Sequence, residues 1–182
     1  YSPEWVLPIL TTALISAEAN AGFYMAMMIG GLMAIVGAAL TTALLAVGSA
    51  DPGALAQRMR TSLGLSLAAG AAGAAVLWVG AEWILGLFGA EYAASASGCL
   101  RILALWVFPA TVNLHYVALC QIEGRLRPAI IITAVGGVVG LGLAAAGAAL
   151  WGLNGLTLGW LAAATGRALV AAPAVYRAGA RR

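Results

Sequence analysis

The chain has 182 residues, 63% of them hydrophobic and 8% charged, with a mean hydropathy of +1.00, whereas soluble domains carry roughly a quarter charged residues. The formal charge of +3 comes from nine arginines and no lysine, set mostly between apolar runs and not along a basic stripe, so nucleic acid is excluded as a partner. Long apolar runs with charge only at intervals predict an all-α, polytopic membrane helix bundle of about six transmembrane helices, in a single domain over residues 1–182.

The first run, Trp5 to Ile15, is short against the roughly 20 residues a span needs. It has neither the basic start nor the cleavage site of a signal peptide. Together with Tyr1 as first residue, this leads us to expect a first helix entered partway along and a native protein that continues upstream. Five full spans follow: Ala21 to Val47, Thr61 to Ile84, Leu100 to Leu119, Ala129 to Leu150 and Leu153 to Val175. The separators are Ala17–Asn20, Ser49–Arg60, Phe88–Gly98, Gln121–Pro128 and the short Trp151–Gly152 turn. Pro52 and Pro128 suit helix starts, where proline loses no helical hydrogen bond.

Charge placement gives the orientation. Arg58 and Arg60 lie in one separator, Arg125 and Arg127 in the next but one, and Arg177, Arg181 and Arg182 at the tail, seven of the nine arginines in all. The intervening separators carry Glu18, then Glu91, then no charge. The positive-inside rule places the arginine-bearing side and the C-terminus in the cytoplasm; the cytoplasmic (inner, plasma) membrane is the expected location.

Small residues fill the spans: Gly30 and Gly37 in the second, Gly70 and Gly73 in the third, and a GxxxG of Gly136 and Gly140 with Gly147 in the fifth. In lipid such residues permit close backbone approach, so tight helix packing is expected of them and not a phosphate loop. Cys99 and Cys120 are 21 residues apart, about 30 Å along a helix and beyond disulfide reach. They read as packing residues. No Cys/His cluster is present, and neither a metal nor a cofactor is expected.

Polar residues inside spans supply the candidate substrate-binding positions. Arg167 lies ten residues before Arg177, about 15 Å deeper on a regular helix, where a cation costs roughly 2.5–3.5 kcal/mol. It shares a face with Trp160, Ala163, Ala164 and Ala171, so it meets an anionic substrate group, forms a structural pair or snorkels to headgroups. The fourth span carries Arg101, Pro109, Thr111, Asn113, His115 and Tyr116. At about 100° per residue, Asn113 and Tyr116 share a face with Trp106, Pro109 and Cys120. His115 points the other way with Thr111 and Phe108, so these residues cannot form one cluster on this helix alone. His115 is either a proton relay or hydrogen-bonded to a neighbouring helix. Pro109 is either a kink near a binding site or a packing feature, and Arg101 and Glu91 are placed near the outer surface, in solvent. No carboxylate falls near the middle of a full span, and no catalytic set is present, so we expect no enzyme.

The stretch Trp83-Ile-Leu-Gly-Leu-Phe-Gly-Ala-Glu-Tyr-Ala, followed by Leu100-Arg-Ile-Leu-Ala-Leu, resembles the C-terminal half of bacterial polysaccharide (O-antigen type) flippases. Ala19-Asn-Ala-Gly-Phe-Tyr, Gly124-Arg-Leu-Arg-Pro and Trp151-Gly-Leu-Asn-Gly-Leu are similar to that family's helix start, inner turn and final outer turn. Ala46-Val-Gly-Ser departs from it where many members have proline. The resemblance covers most of the chain and extends to the superfamily shared with multidrug extruders and lipid II flippases. It implies one lobe of a two-lobe, alternating-access transporter, with an upstream six-helix lobe of the same protein. The implied substrate is a polyprenyl-diphosphate-linked oligosaccharide, met by cavity arginines such as Arg167. The implied partners are this lipid-linked oligosaccharide, membrane lipids, and a polysaccharide polymerase or glycosyltransferases. Two rival readings are a multidrug/cation antiporter of the same superfamily and a membrane-embedded glycan-lipid transferase with His115 or Arg101 in its site. A non-transporting assembly or scaffold protein is a third.

Overall fold

A chain this apolar must satisfy its backbone within itself, because hydrocarbon offers no hydrogen bonds, and helices are the local solution. The computed structural model describes residues 3–48 and 55–180. Ser49, Asp51 and Pro52 of the first arginine-bearing separator, and Arg181 and Arg182 of the tail, lie outside the described residues. A 3-10 turn, Pro3–Val6, leads into α1 (Leu7–Leu14), followed by α2 (Ala17–Gly48), α3 (Leu55–Gly86), α4 (Ala90–Ile122) and α5 (Leu126–Ala180). Four of these, α2 to α5, are long and apolar enough to cross a membrane.

The 55-residue α5 is two helices. Trp151 (φ −138°, ψ 26°) and Gly152 (φ 56°, ψ −138°) leave the helical region and fold limb 153–180 back on limb 126–150, as the Trp151–Gly152 turn predicts. With the short α1, the bundle has the six helical segments expected from the sequence. The turn after α4 is closed by Gly124 at φ 67°. Its N–H reaches Gln121 O at 3.2 Å, and Arg125 N–H reaches Cys120 O at 2.8 Å, a Schellman pair that satisfies the last carbonyls of the helix.

Two expected separators are helical. Ala17–Asn20 is the first turn of α2, and most of Phe88–Gly98 is the start of α4. The reason is packing: Ala96 and Cys99 are fully buried, and Ala96 lies so near α2 that a Cβ on Gly22 would sit 3.2 Å from its own. Helices of 32 or 33 residues run about 48 Å and so continue past a hydrocarbon core of about 30 Å.

Helix α4 is the axis of the bundle, packing against α2, α3 and α5. Half of its apolar window is buried, 50% against 18% for α2 and 22% for α3. The main core joins Phe23, Leu77, Leu100, Leu103, Leu156 and Trp160. A second cluster of Met59, Leu119, Val175 and Ala178 brings the start of α3, the end of α4 and the end of α5 together. The described arginines Arg58, Arg60, Arg125, Arg127 and Arg177 flank this one end. Large side chains such as Val79, Trp83, Ile130, Val138 and Leu169 point outward and are exposed, which suits lipid and not water.

Candidate functional site

Helix α4 distributes its polar side chains around the bundle, as its helical spacing dictates. Asn113 Nδ2 donates to the Ala164 carbonyl of α5 at 3.2 Å. His115, fully buried, places Nδ1 2.8 Å from the Thr111 carbonyl and Nε2 3.0 Å from Ser62 Oγ on α3. Tyr116 packs against the Met59, Leu119 and Val175 cluster at the arginine-rich end. Helix α4 runs through Pro109 without a break.

Arg101 is not simply solvated, as the sequence suggests. Its guanidinium holds Glu82 at 2.9 Å and its Nε donates to the Trp78 carbonyl at 3.2 Å, fastening α4 to α3. Glu82 lies in the last turn of α3, where a sequence pattern gives no sign that it will face another helix.

Arg167 occupies the middle of limb 153–180. Its guanidinium carbon lies 5.6 Å from the centroid of the Trp160 ring, within cation–π range. Its stem crosses the opposite limb at Gly136, where any Cβ would collide with the Arg167 Cδ and Cγ atoms. One turn along, Gly140 seats Trp160, whose Cζ3 would lie 2.8 Å from an added Cβ. The GxxxG is therefore the socket for Arg167 and Trp160. Arg167 borders a groove of about 430 Å³ whose other walls are aliphatic or small, including Ile131, Val135, Val139 and Val170.

A second cavity of about 360 Å³ lies between α1, α2, α4 and α5, lined by Trp5, Tyr24, Met27, Met28, Trp106 and Trp160 among others, with no charged side chain. The Trp106 Nε1 is buried and has no hydrogen-bond partner among the described residues. Trp160 borders this cavity on one side of the hairpin and carries Arg167 on the other.

The five sequence candidates thus fall in five different places. Arg167 belongs to the α5 hairpin, Asn113 to the α4–α5 seam, His115 to the α3–α4 seam, Tyr116 to the arginine-rich end and Arg101 to the Glu82 pair. Among the described residues no group of three His, Cys, Asp or Glu side chains converges.

A family model for MatE matches residues 7–146, from the start of α1 through most of the first limb of α5. The chain belongs to the MatE family. MatE proteins are membrane transporters, of the superfamily that includes polysaccharide and multidrug flippases, which is the superfamily indicated by the Leu87-Phe-Gly-Ala-Glu-Tyr element. Comparison with curated proteins gives no match, and neither does comparison with solved structures.

In this MatE chain the residue that sequence reasoning misses is Ser62. A signal for it exists: Met59, Ser62, Ser66, Gly70, Ala74, Leu77, Ala81 and Leu85 recur at three- and four-residue spacing and are all buried. That stripe is the α3 face turned to α4, and its two serines are the polar positions on it.

Proposed function

We propose that this chain forms one lobe of a transporter that flips a polyprenyl-diphosphate-linked oligosaccharide, a precursor of polysaccharide, O-antigen or capsule, across the cytoplasmic membrane by alternating access. The observation that carries the reading is Arg167 beside the aliphatic groove on the α5 hairpin. An anionic head joined to a long hydrocarbon chain matches a guanidinium joined to an apolar channel, since arginine binds phosphate oxygens through a fixed fork of donors. The described carboxylates Glu4, Glu18, Glu82, Glu91 and Glu123 lie at or near helix ends, which favours an anionic cargo over a cationic one. An upstream six-helix lobe would complete the cavity, and a polymerase or glycosyltransferases would act on either side of the flipping step.

A second reading, a multidrug/cation antiporter, draws on the aromatic cavity around Trp106 and Trp160, because ring faces attract lipophilic cations. The two readings separate by mutation in the full-length protein. For the flippase, Arg167→Ala strands lipid-linked glycan on the inner leaflet and lowers outer-leaflet delivery at least about tenfold, the loss of one charge-assisted contact. Arg167→Lys retains part of it. Undiminished glycan flipping in both variants, with drug efflux lost in Trp106→Ala, would replace the flippase by the antiporter.

A further inference from the structure

His115 is the single histidine of the sequence, and it has no exposed surface. Its Nδ1 is 2.8 Å from Thr111 O on its own helix, and its Nε2 is 3.0 Å from Ser62 Oγ on α3. Ser62 Oγ is in turn 3.2 Å from Leu40 O on α2. Three hydrogen bonds are laid out, with a carbonyl at each end that can only accept.

The protons do not suffice while the ring is neutral. A neutral imidazole supplies one N–H and the serine one O–H. Spent on the two carbonyls, they leave Nε2 and Oγ facing each other lone pair to lone pair. Turning the hydroxyl toward Nε2 repairs that contact and abandons Leu40 O. One added proton on Nε2 completes all three bonds together. We infer that His115, Ser62 and the Leu40 carbonyl form a proton-binding site, whose occupancy closes an unbroken hydrogen-bonded bridge from α4 through α3 to α2.

The step is a simple protonation: Nε2 takes a proton from the aqueous phase and the ring becomes a monocation. Around it, α2 has no titratable residue between Tyr24 and Gly48, and α1 has none at all. Helix α3 has Arg58 and Arg60 in the turn before Ser62, α4 has Tyr116 and Cys120, and α5 has Arg167, Tyr176 and Arg177. The next carboxylate along the chain is Glu123, just past α4 and eight residues on. Neither the Arg101–Glu82 pair nor the Arg125–Glu123 pair involves the ring, and the cation is held by its hydrogen bonds. The inference is independent of which cargo the transporter carries.

The test is 15N NMR of imidazole-labelled protein in lipid nanodiscs, titrated from alkaline to mildly acidic pH, with the His115 signals assigned by their loss in His115→Gln. The expected result is conversion of His115 to a form with two N–H nitrogens. In Ser62→Ala the charged form loses its acceptor, so its population at the wild-type midpoint falls about fivefold. Ser62→Thr, which keeps the hydroxyl, retains the wild-type response. A wild-type ring that stays a single neutral tautomer throughout overturns the site. An unchanged titration in folded Ser62→Ala overturns it equally.

Discussion

A guanidinium in the middle of a membrane needs somewhere to lay its stem and something to face its charge, and Arg167 has both on the α5 hairpin. Trp160 supplies a ring face 5.6 Å away, worth about 0.5–2 kcal/mol depending on desolvation. Gly136 supplies the gap. If that gap exists for Arg167, then its closure is harmful only while Arg167 is there. Gly136→Ala is expected to cost about 1–3 kcal/mol in the native background, the usual cost of overpacking, and much less in Arg167→Ala, where the colliding atoms are gone. A double-mutant cycle on unfolding in mixed micelles measures the difference. Equal costs in both backgrounds would show that Arg167 does not depend on the Gly136 socket. The depth of Arg167 and the small face it shares were readable from the sequence, but its neighbour was not, because Gly136 lies 31 positions away and only the hairpin turn brings the two together.

At the scale of elements, the hairpin of α5 shows how small residues act differently according to what they face. Gly147 meets the Gly155 carbonyl of the opposite limb so closely that no Cβ could be accommodated, and a backbone oxygen cannot rotate aside. Gly142, on the same limb, faces open space and is exposed. Replacing Gly147 by alanine should force the limbs apart and lower stability by about 1–3 kcal/mol. Replacing Gly142 by alanine should raise it by about 0.5–1 kcal/mol, since alanine gives up less backbone freedom on folding. Thermal unfolding of both variants checks the pair, and a destabilising Gly142→Ala would show that its face is occupied. Five of the helix positions were legible as apolar runs, and the Trp151–Gly152 break as a short interruption in one of them. The first turns of α2 and α4 were not, because Glu18, Glu91 and Ser95 make them look polar while Phe23, Ala96 and Cys99 on their inner faces hold them in the bundle.

For the whole molecule, the arginines and the packing agree on which ends belong together. The cluster of Met59, Leu119 and Val175 gathers the ends of three helices that carry Arg58, Arg60, Arg125, Arg127 and Arg177, as an alternating path requires. What the sequence could not supply is which polar residues would meet across helices, since that depends on rotation and register. His115 and Ser62 are 53 positions apart and Asn113 and Ala164 are 51, and no local pattern links them. The path itself leads to a prediction that the two cysteines make easy to test. Cys99 and Cys120 are buried, at 0% and 5% exposure, so thiol labelling of the native chain should be weak. A cysteine placed at Arg125, whose side chain is 69% exposed, lies at one end of limb 126–150, and one placed at Trp151, 70% exposed, lies at the other. An impermeant thiol reagent should label Trp151→Cys in intact cells and Arg125→Cys only after permeabilisation, because arginine-bearing turns resist translocation. Labelling of both from the outside would mean that limb 126–150 does not cross the membrane, and the bundle would have to be rebuilt with fewer spans.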